Sequence, residues 1–230
     1  MPATSQIRKP GACPPAQELQ RAYQIVVYAH DTAKSLLAGF NSLGAARGRG
    51  APSDEQQDLL RAMLMFAGAG LDACAQQVVR DALPQLVTSH DDARKALIGF
   101  AARRLRRETE SDTAGIDARF LAELLIGKPE ENLIEALIDE LTGSSMQSVD
   151  ELKRVASHLG VIGDKSLVKA IDGTREAFRV RNRIAHDMDI KITPGRGRNR
   201  TQRARADMVR DTNNLLEVAE ALGEAVQRAL

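Results

Sequence analysis

One ten-residue segment near the carboxyl end of the chain concentrates the residue types that handle phosphate groups and protons. Residues 178–187 read FRVRNRIAHD and contain three arginines, an asparagine and a histidine. Arginine presents a planar fork of N–H donors that matches the oxygens of a phosphate. Histidine changes charge near neutral pH, so it serves as a general base or a general acid. The segment therefore indicates proton transfer at a phosphate group, with no need for a metal ion.

The segment is predicted to end a helix, and its polar residues divide between two faces. A helix advances about 100° per residue, so residues seven apart nearly coincide in direction. One polar strip contains four residues: Arg175, Arg179, Asn182 and His186. Arg181 falls instead on the apolar strip of Phe178 and Ala185. A charge there is costly unless it is paired, which leaves two alternatives. Either Asp72 of the central helix is its buried structural partner, or this face is a subunit interface crossed by a polar cleft. Asp72 could equally cap another buried polar group.

Arg181, Asn182 and His186 form the pattern Arg-Asn-x-x-x-His, which resembles the signature of the HEPN superfamily. The resemblance covers about residues 174–188. It implies an all-helical, HEPN-like bundle and a homodimer in which both copies contribute arginine and histidine to one cleft. It also implies a metal-independent ribonuclease without a cofactor, with these three residues as the catalytic group. Members of the superfamily act in toxin, phage-defence and RNA-processing systems.

The reaction that fits these side chains is RNA cleavage through attack of the 2′-hydroxyl, which leaves a 2′,3′-cyclic phosphate and a 5′-hydroxyl. His186 would move the protons, and Arg181 and Asn182 would bind the phosphate. Arg181 and His186 are five residues apart, so they diverge by roughly 140° on a regular helix. Two copies of the chain, or a helix that unwinds before His186, would bring both side chains to one phosphate.

Further arginines surround the motif and continue into the segment that follows it. The formal net charge is only +1, but residues 191–210 carry seven cations against one acid. A local basic patch holds phosphates even in a nearly neutral protein. The residues expected to contact RNA are Arg179, Arg183, Arg196, Arg198 and Arg200. The other interpretation of the segment is an exposed, flexible loop that merely keeps the protein in solution.

Two functions from other classes stay open beside the nuclease. Some HEPN proteins have lost catalysis, so a helical module that binds RNA or a protein, as a dimerisation or regulatory subunit, is the main alternative. A regulatory subunit that binds a nucleotide on its arginine-rich helix is the other. If the nuclease interpretation holds, the resemblance implies a toxin or antiphage effector that an antitoxin or a sensor protein restrains.

The rest of the chain is predicted to be helical. Strong helix formers dominate the 230 residues, and apolar residues recur at three- and four-residue spacing in long segments. We expect an antiparallel all-α bundle over residues 17–230, with a group of short inserted helices over 91–160. Residues 1–16 contain four prolines and are expected to form a flexible tail outside the core. His30 falls on an apolar strip, where a core histidine with satisfied hydrogen bonds is the usual finding.

Composition limits the remaining possibilities. The two cysteines have no metal-ligand spacing and do not suggest a disulfide framework. The most apolar segment, Ala62 to Ala75, is interrupted by Asp72 and is too short to span a bilayer. The amino-terminal residues lack the apolar core of a secretory signal. We therefore expect a soluble, cytoplasmic protein that does not associate with a membrane.

Overall fold

The computed structural model describes residues 6–47, 50–107, 115–192 and 198–230. Within these ranges a short 3-10 turn, Gln17–Leu19, precedes nine α-helices. The helices are α1 Gln20–Arg47, α2 Asp54–Ser89, α3 Asp91–Leu105, α4 Ala118–Leu125, α5 Pro129–Thr142, α6 Val149–His158, α7 Lys165–Asp172, α8 Arg175–Asp187 and α9 Arg205–Ala229. The all-α class predicted from the sequence is confirmed.

Two short antiparallel ladders accompany the helices. Strand β1, Arg106–Arg107, pairs with β2, Gly115–Ile116. Strand β3, Ile190–Ile192, pairs with β4, Arg198–Arg200, so that Ile190 lies opposite Arg200. Strands β3 and β4 begin shortly after residues 178–187, the segment with three arginines and a histidine. They form a hairpin, which we call the basic hairpin.

Helix α2 begins as its sequence predicts. Ser53 and Gln56 form a capping box: Ser53 Oγ accepts the N–H of Gln56 at 3.3 Å, and Gln56 Oε1 accepts the N–H of Ser53 at 3.0 Å. Pro84 lies inside this helix, which nevertheless continues to Ser89. Pro84 and Arg80 both lie on the exposed side, so the carbonyl group that loses its N–H partner can bind water instead.

Helix α2 forms the centre of the bundle. It packs against α1, α3, α5, α8 and α9, and the buried apolar side chains of all nine helices within the described ranges form one continuous cluster. Gly70 of α2 allows close approach of α1, because a Cβ at this position would overlap with Cβ of Ala29. In the same antiparallel register, Gly39 of α1 meets the side chain of Leu59.

By length and composition, α2 is also the one helix in the described ranges that could cross a membrane. Half of the most apolar 18-residue stretch of this helix is buried inside the bundle. Because that surface is already covered by neighbouring helices, its apolar character is explained by its position in a protein core.

Of the inserted helices, α3, α5 and α6 pack on α2, and α4 packs on α3 and α5. Phe100 of α3 and Phe120 of α4 meet edge to face, with ring centroids 6.4 Å apart. The loop before α6 is attached to the central helix through a carboxylate, since Asp72 Oδ1 accepts the N–H of the fully buried Met146 at 2.8 Å. The insertion is therefore anchored to the same core as the rest of the chain.

The amino-terminal segment differs from the expected flexible tail. Residues 6–16, which we call the N-terminal strap, lie across α1 and α9. Asn213 of α9 binds the strap main chain twice: its Oδ1 accepts the N–H of Arg8 at 3.0 Å, and its Nδ2 donates to the carbonyl of Gln6 at 3.0 Å. The side chain of Arg8 adds an ion pair with Glu217 at 2.8 Å. The two bonds to Asn213 use main-chain groups of the strap, which leave no pattern in its sequence.

His30 lies beneath the strap with only 3% of its surface exposed. Its Nδ1 is 2.9 Å from the carbonyl oxygen of Arg8, and its Nε2 is 2.7 Å from Oε1 of Glu220. The prediction of a core histidine with satisfied hydrogen bonds is confirmed, and its two partners join α1, α9 and the strap.

Candidate functional site

Residues 178–187 lie in α8, the second of two short helices that are separated by a break at Gly173 and Thr174. Asp164 caps α7 by accepting the N–H groups of Ser166 and Leu167 at 2.9 and 3.0 Å. The helix ends at Asp172, with Gly173 as its C-cap, and α8 begins at Arg175. Thr174 is fully buried in the break and donates from Oγ1 to the carbonyl of Ile171 at 2.6 Å. This break sets the direction in which α8 carries its arginines.

The buried face of α8 is rotated relative to the strip that the sequence predicted. Ala177, Val180 and Ile184 are buried, Arg181 is half-buried, and Ala185, which we expected to face the core, is exposed. Arg181 therefore lies at the edge of the apolar face and not at its centre. Its charged end can reach solvent while its stem contacts the core.

Arg181 is held by packing and by one neighbour. Its stem lies on Gly68 of α2, where a Cβ would be 3.6 Å from Cγ of the arginine. Its Nη1 donates to Oδ1 of Asn182 at 3.1 Å, and its buried Nε has no hydrogen-bond partner among the residues that the structure describes. Burial lowers the pKa of Arg181, an effect that the charge of Asp72 opposes.

Asp72, the structural partner candidate, does not contact Arg181. Its carboxylate accepts the main-chain N–H of Met146 and the side-chain amides of Gln147 and Gln76. Its charge therefore acts on Arg181 from a distance, while its hydrogen bonds anchor the inserted helices. Of the two alternatives that the sequence left open, the buried ion pair is absent among the described residues.

Asn182 and His186 lie one turn apart on the outer side of α8. Asn182 is half-buried, and its side-chain oxygen is oriented by Arg181. His186 is exposed in the last turn of the helix and forms no hydrogen bond or ion pair with any residue that the structure describes. Its imidazole is therefore free to meet a ligand.

The arginines expected to bind RNA have different environments. Arg179 is exposed and donates through Nε and Nη2 to Glu176 at 2.8 and 2.6 Å. Arg200 forms an ion pair with Asp58 of α2, and its side chain is 31% exposed. Arg196 lies outside the described residues; of Arg198 only the main chain is described, in β4.

Asp189 is the residue that sequence analysis missed. It follows α8 by two residues, is 0% exposed, and lies at the centre of a group of arginines. Arg203 donates to both of its carboxylate oxygens, at 2.9 and 2.6 Å. Arg61 of α2 donates to Oδ2 at 3.3 Å, and Nε of Arg183 is 3.7 Å from Oδ1.

Burial alone would raise the pKa of Asp189. Hydrogen bonds and charge from Arg203 and then Arg61 outweigh that effect, so its pKa lies below the ordinary value for a carboxyl group. Asp189 is therefore the anionic centre of the cluster. The sequence signal that could have located it is an acid directly after a helix end in an otherwise arginine-rich region.

The cluster around Asp189 carries an excess of positive charge. It contains two acids, Asp58 and Asp189, and four arginines, Arg61, Arg183, Arg200 and Arg203. Two positive charges thus have no acid within this group. The partly exposed members, Arg183 and Arg200, lie on the side open to solvent, where a polyanion could reach them.

The site thus consists of the outer face of α8 and the basic hairpin that follows it. Among the described residues, no group of three or more histidine, cysteine, aspartate or glutamate side chains is arranged to hold a metal ion. Comparisons of the chain with protein-family models, with curated proteins and with solved structures find no match. Any assignment of function therefore rests on the residues and their geometry.

Proposed function

We propose that the protein is a metal-independent endoribonuclease of the HEPN type, in which Arg181, Asn182 and His186 act on an RNA phosphate. The observation that carries this proposal is the half-buried guanidinium of Arg181, which forms no ion pair with any acid that the structure describes and is bonded to Asn182. A free imidazole, that of His186, lies one turn further along the same face as Asn182. A phosphate group would supply the negative charge that this arrangement lacks.

Each side chain has a role in the proposed reaction. His186 accepts the proton of the 2′-hydroxyl, and the resulting oxygen attacks the adjacent phosphorus. The bond from phosphorus to the 5′-oxygen breaks, and that oxygen takes a proton from an imidazolium. Arg181 and Asn182 hydrogen-bond to the non-bridging oxygens as negative charge develops there. The products are a 2′,3′-cyclic phosphate and a 5′-hydroxyl.

Two copies of the chain are proposed to complete the site, because Arg181 and His186 diverge by roughly 140° on a regular helix. An apolar strip supports this dimer. It lies on α2 next to the face that contacts α8, and it consists of Ala62, Phe66, Ala69 and Ala73. Phe66 is 54% exposed and Met188, just after α8, is 60% exposed. A second copy that covers both residues would bring its own α8 close to the first.

A cytoplasmic toxin or antiphage effector, restrained by an antitoxin or a sensor protein, is the setting that we propose for this activity. The excess of positive charge around Asp189 favours RNA as the substrate, because phosphates bind to surplus cations at moderate salt. Since 3% of the residues are aromatic, contacts to the backbone would dominate over stacking on bases.

A non-catalytic RNA-binding module is the second candidate. It is favoured by the pairing of the arginines, since Arg179 is bound to Glu176 and Arg181 is bound to Asn182. Such a surface binds a phosphate backbone through its net charge without bringing a proton acceptor to the 2′-hydroxyl.

The experiment that separates the two candidates is incubation of purified protein with mixed RNA in a chelator. The nuclease proposal predicts fragments with cyclic phosphate ends from the wild type and from Asp187→Ala, an exposed neighbour that serves as the matched control. It predicts at least a hundredfold slower cleavage by His186→Ala. If neither the wild type nor His186→Ala cuts RNA but both retard it at low salt, the protein is a non-catalytic RNA-binding module.

A further inference from the structure

We infer that Asp189 is a positioning residue: it fixes the end of α8, and with it the direction of His186. Only the predicted effect of Asp189 on RNA cleavage rests on the proposed function. The structural part, that one buried carboxylate sets the geometry of this helix end, holds for any function of the site.

The end of α8 has an unusual backbone. The carbonyl of Arg183 accepts the N–H groups of both Met188 and Asp189, the latter at 3.2 Å. Met188 and Asp189 then have φ values of 50° and 58°, which lie in the left-handed region that residues with side chains rarely adopt. Each such residue costs about 1–2 kcal/mol. Two in succession persist only where the surroundings hold them.

The side chain of Asp189 holds these two residues in place. Its carboxylate binds Arg61 of α2, Arg203 before α9, and Arg183 of α8 itself. Arg61 is 3% exposed, so the contact with α2 is closed to solvent. Bonds from three directions determine where the carboxylate lies, and the carboxylate determines the path of the chain.

The main chain around Asp189 completes the attachment. Its carbonyl accepts the N–H of Thr201 at 2.8 Å, which closes the base of the basic hairpin. Arg61 donates through Nη2 to the carbonyl of Thr201 at 2.7 Å. Gln57 of α2 exchanges two hydrogen bonds with the main chain of Arg203, at 3.1 and 2.8 Å. The helix end, the hairpin and α2 therefore meet at one point, three residues after His186.

Stability alone does not account for this cluster. Apolar side chains of similar volume often stabilise a core as well as buried ion pairs do. Directional bonds to a carboxylate differ because they also fix an angle. A proton acceptor needs such control, since a displacement of about 1 Å can slow a reaction about a hundredfold.

The first test is hydrogen–deuterium exchange in Asp189→Asn, with Asp58→Asn as the matched control. Asp58 also binds Arg61, but its side chain is 52% exposed, so its loss should have little effect. We expect exchange at least tenfold faster over residues 186–192 and 200–204 in Asp189→Asn only, with α1 and α5 still protected. Unchanged exchange at the helix end would overturn the inference.

The second test reports on His186 directly. The chain has four histidines, so the ring signals of His186 can be assigned in carbon–proton NMR spectra by comparison with His186→Gln. We expect the ring shifts and pH titration of His186 to change in Asp189→Asn, while those of His30, His90 and His158 stay the same. A purely structural role would shift all four signals or none, and either result overturns the inference.

Two outcomes need separate handling. If Asp189→Asn does not fold, Arg203→Lys replaces it, because that variant keeps the charge and loses the two-bond contact; it must show the same local changes. If the wild type cuts RNA, we expect kcat to fall about 10- to 100-fold in Asp189→Asn with KM within twofold. If the wild type does not cut RNA, the proposed function fails, while exchange and NMR still decide the role of Asp189.

Discussion

The side chain of Arg181 lies across Gly68 of the central helix. A Cβ at Gly68 would be 3.6 Å from Cγ of Arg181 and 3.9 Å from its Nε. These are ordinary van der Waals distances, so the glycine leaves just enough room for one methyl group. By contrast, a Cβ at Gly70, on a different face of α2, would overlap with Cβ of Ala29 in α1.

The two glycines should therefore respond to alanine in opposite directions. Gly68→Ala fills available space and reduces the freedom of the unfolded chain, so it should stabilise the protein by about 0.5–1 kcal/mol. Gly70→Ala must push α1 away and should destabilise it by about 1–3 kcal/mol. Urea unfolding at pH 7 measures both changes. Effects of the same sign would contradict this difference in packing between the two glycines.

Arg181 is expected to lower stability in return for function. Within the described ranges its partly buried charge has no acid in contact, and burial lowers its pKa. Arg181→Met keeps the packing of the stem on Gly68 and removes the charge, so it should raise the free energy of unfolding by about 1 kcal/mol. The same variant should abolish RNA cleavage.

Arg175→Met is the matched control for this substitution, because Arg175 is exposed on the same helix. It should leave the free energy of unfolding within about 0.5 kcal/mol of the wild type and should preserve cleavage. A loss of stability in Arg181→Met would mean that Arg181 is a structural residue and not a binding residue.

Much of the fold follows from local sequence signals, and the prediction of an all-α protein was correct. The capping box at Ser53 fixes the start of α2, and Gly173 lies at the break between α7 and α8. The close approach of α1 occurs at Gly70, one of two glycines on a long apolar helix. Propensity, caps and glycines act over a few residues, so a single sequence contains them.

The contacts of Asp189 and of the N-terminal strap could not be predicted in that way. Asp189 binds Arg61 and Arg203, which are 128 and 14 residues away in the chain. Asn213 binds the main chain of the strap, which any amino-acid sequence offers. The role of Asp72 was predicted only in part, because its acceptors are used by a loop whose position depends on the whole insertion.

The attachment of the strap gives a prediction of its own. Asn213→Ala removes two hydrogen bonds to the strap main chain, each worth about 1 kcal/mol. The strap should then open more often, and trypsin should cut after Arg8 at least tenfold faster than in the wild type. Asn214→Ala is the control, since its side chain bonds to the carbonyl of Gly173 and not to the strap. Equal rates in both variants would argue against a docked strap.

The pKa of Asp189 predicts how stability depends on pH. Because its pKa is lower in the folded state than in the unfolded state, its ionised form stabilises the protein above about pH 4, the ordinary value for aspartate. This contribution is lost as the pH falls through the lower, folded-state pKa. Asp189→Asn should cost about 3–5 kcal/mol at pH 7, and the difference from the wild type should shrink below pH 4.

Chemical denaturation at a series of pH values between 7 and 3 measures this difference. Asp58→Asn, which removes an exposed acid from the same cluster, should show a much smaller effect at every pH. A constant difference between Asp189→Asn and the wild type across the whole range would mean that Asp189 is not held in its ionised form by Arg203 and Arg61.

The most direct test of the proposed function compares one RNA strand with the same strand carrying 2′-O-methyl groups, in a chelator, with wild type and His186→Ala. If His186 activates the 2′-hydroxyl, the wild type cuts only the unmodified strand and leaves cyclic phosphate ends, and His186→Ala cuts that strand at least a hundredfold more slowly. Cleavage of the methylated strand, equal cleavage by His186→Ala, or no cleavage by the wild type would contradict the account.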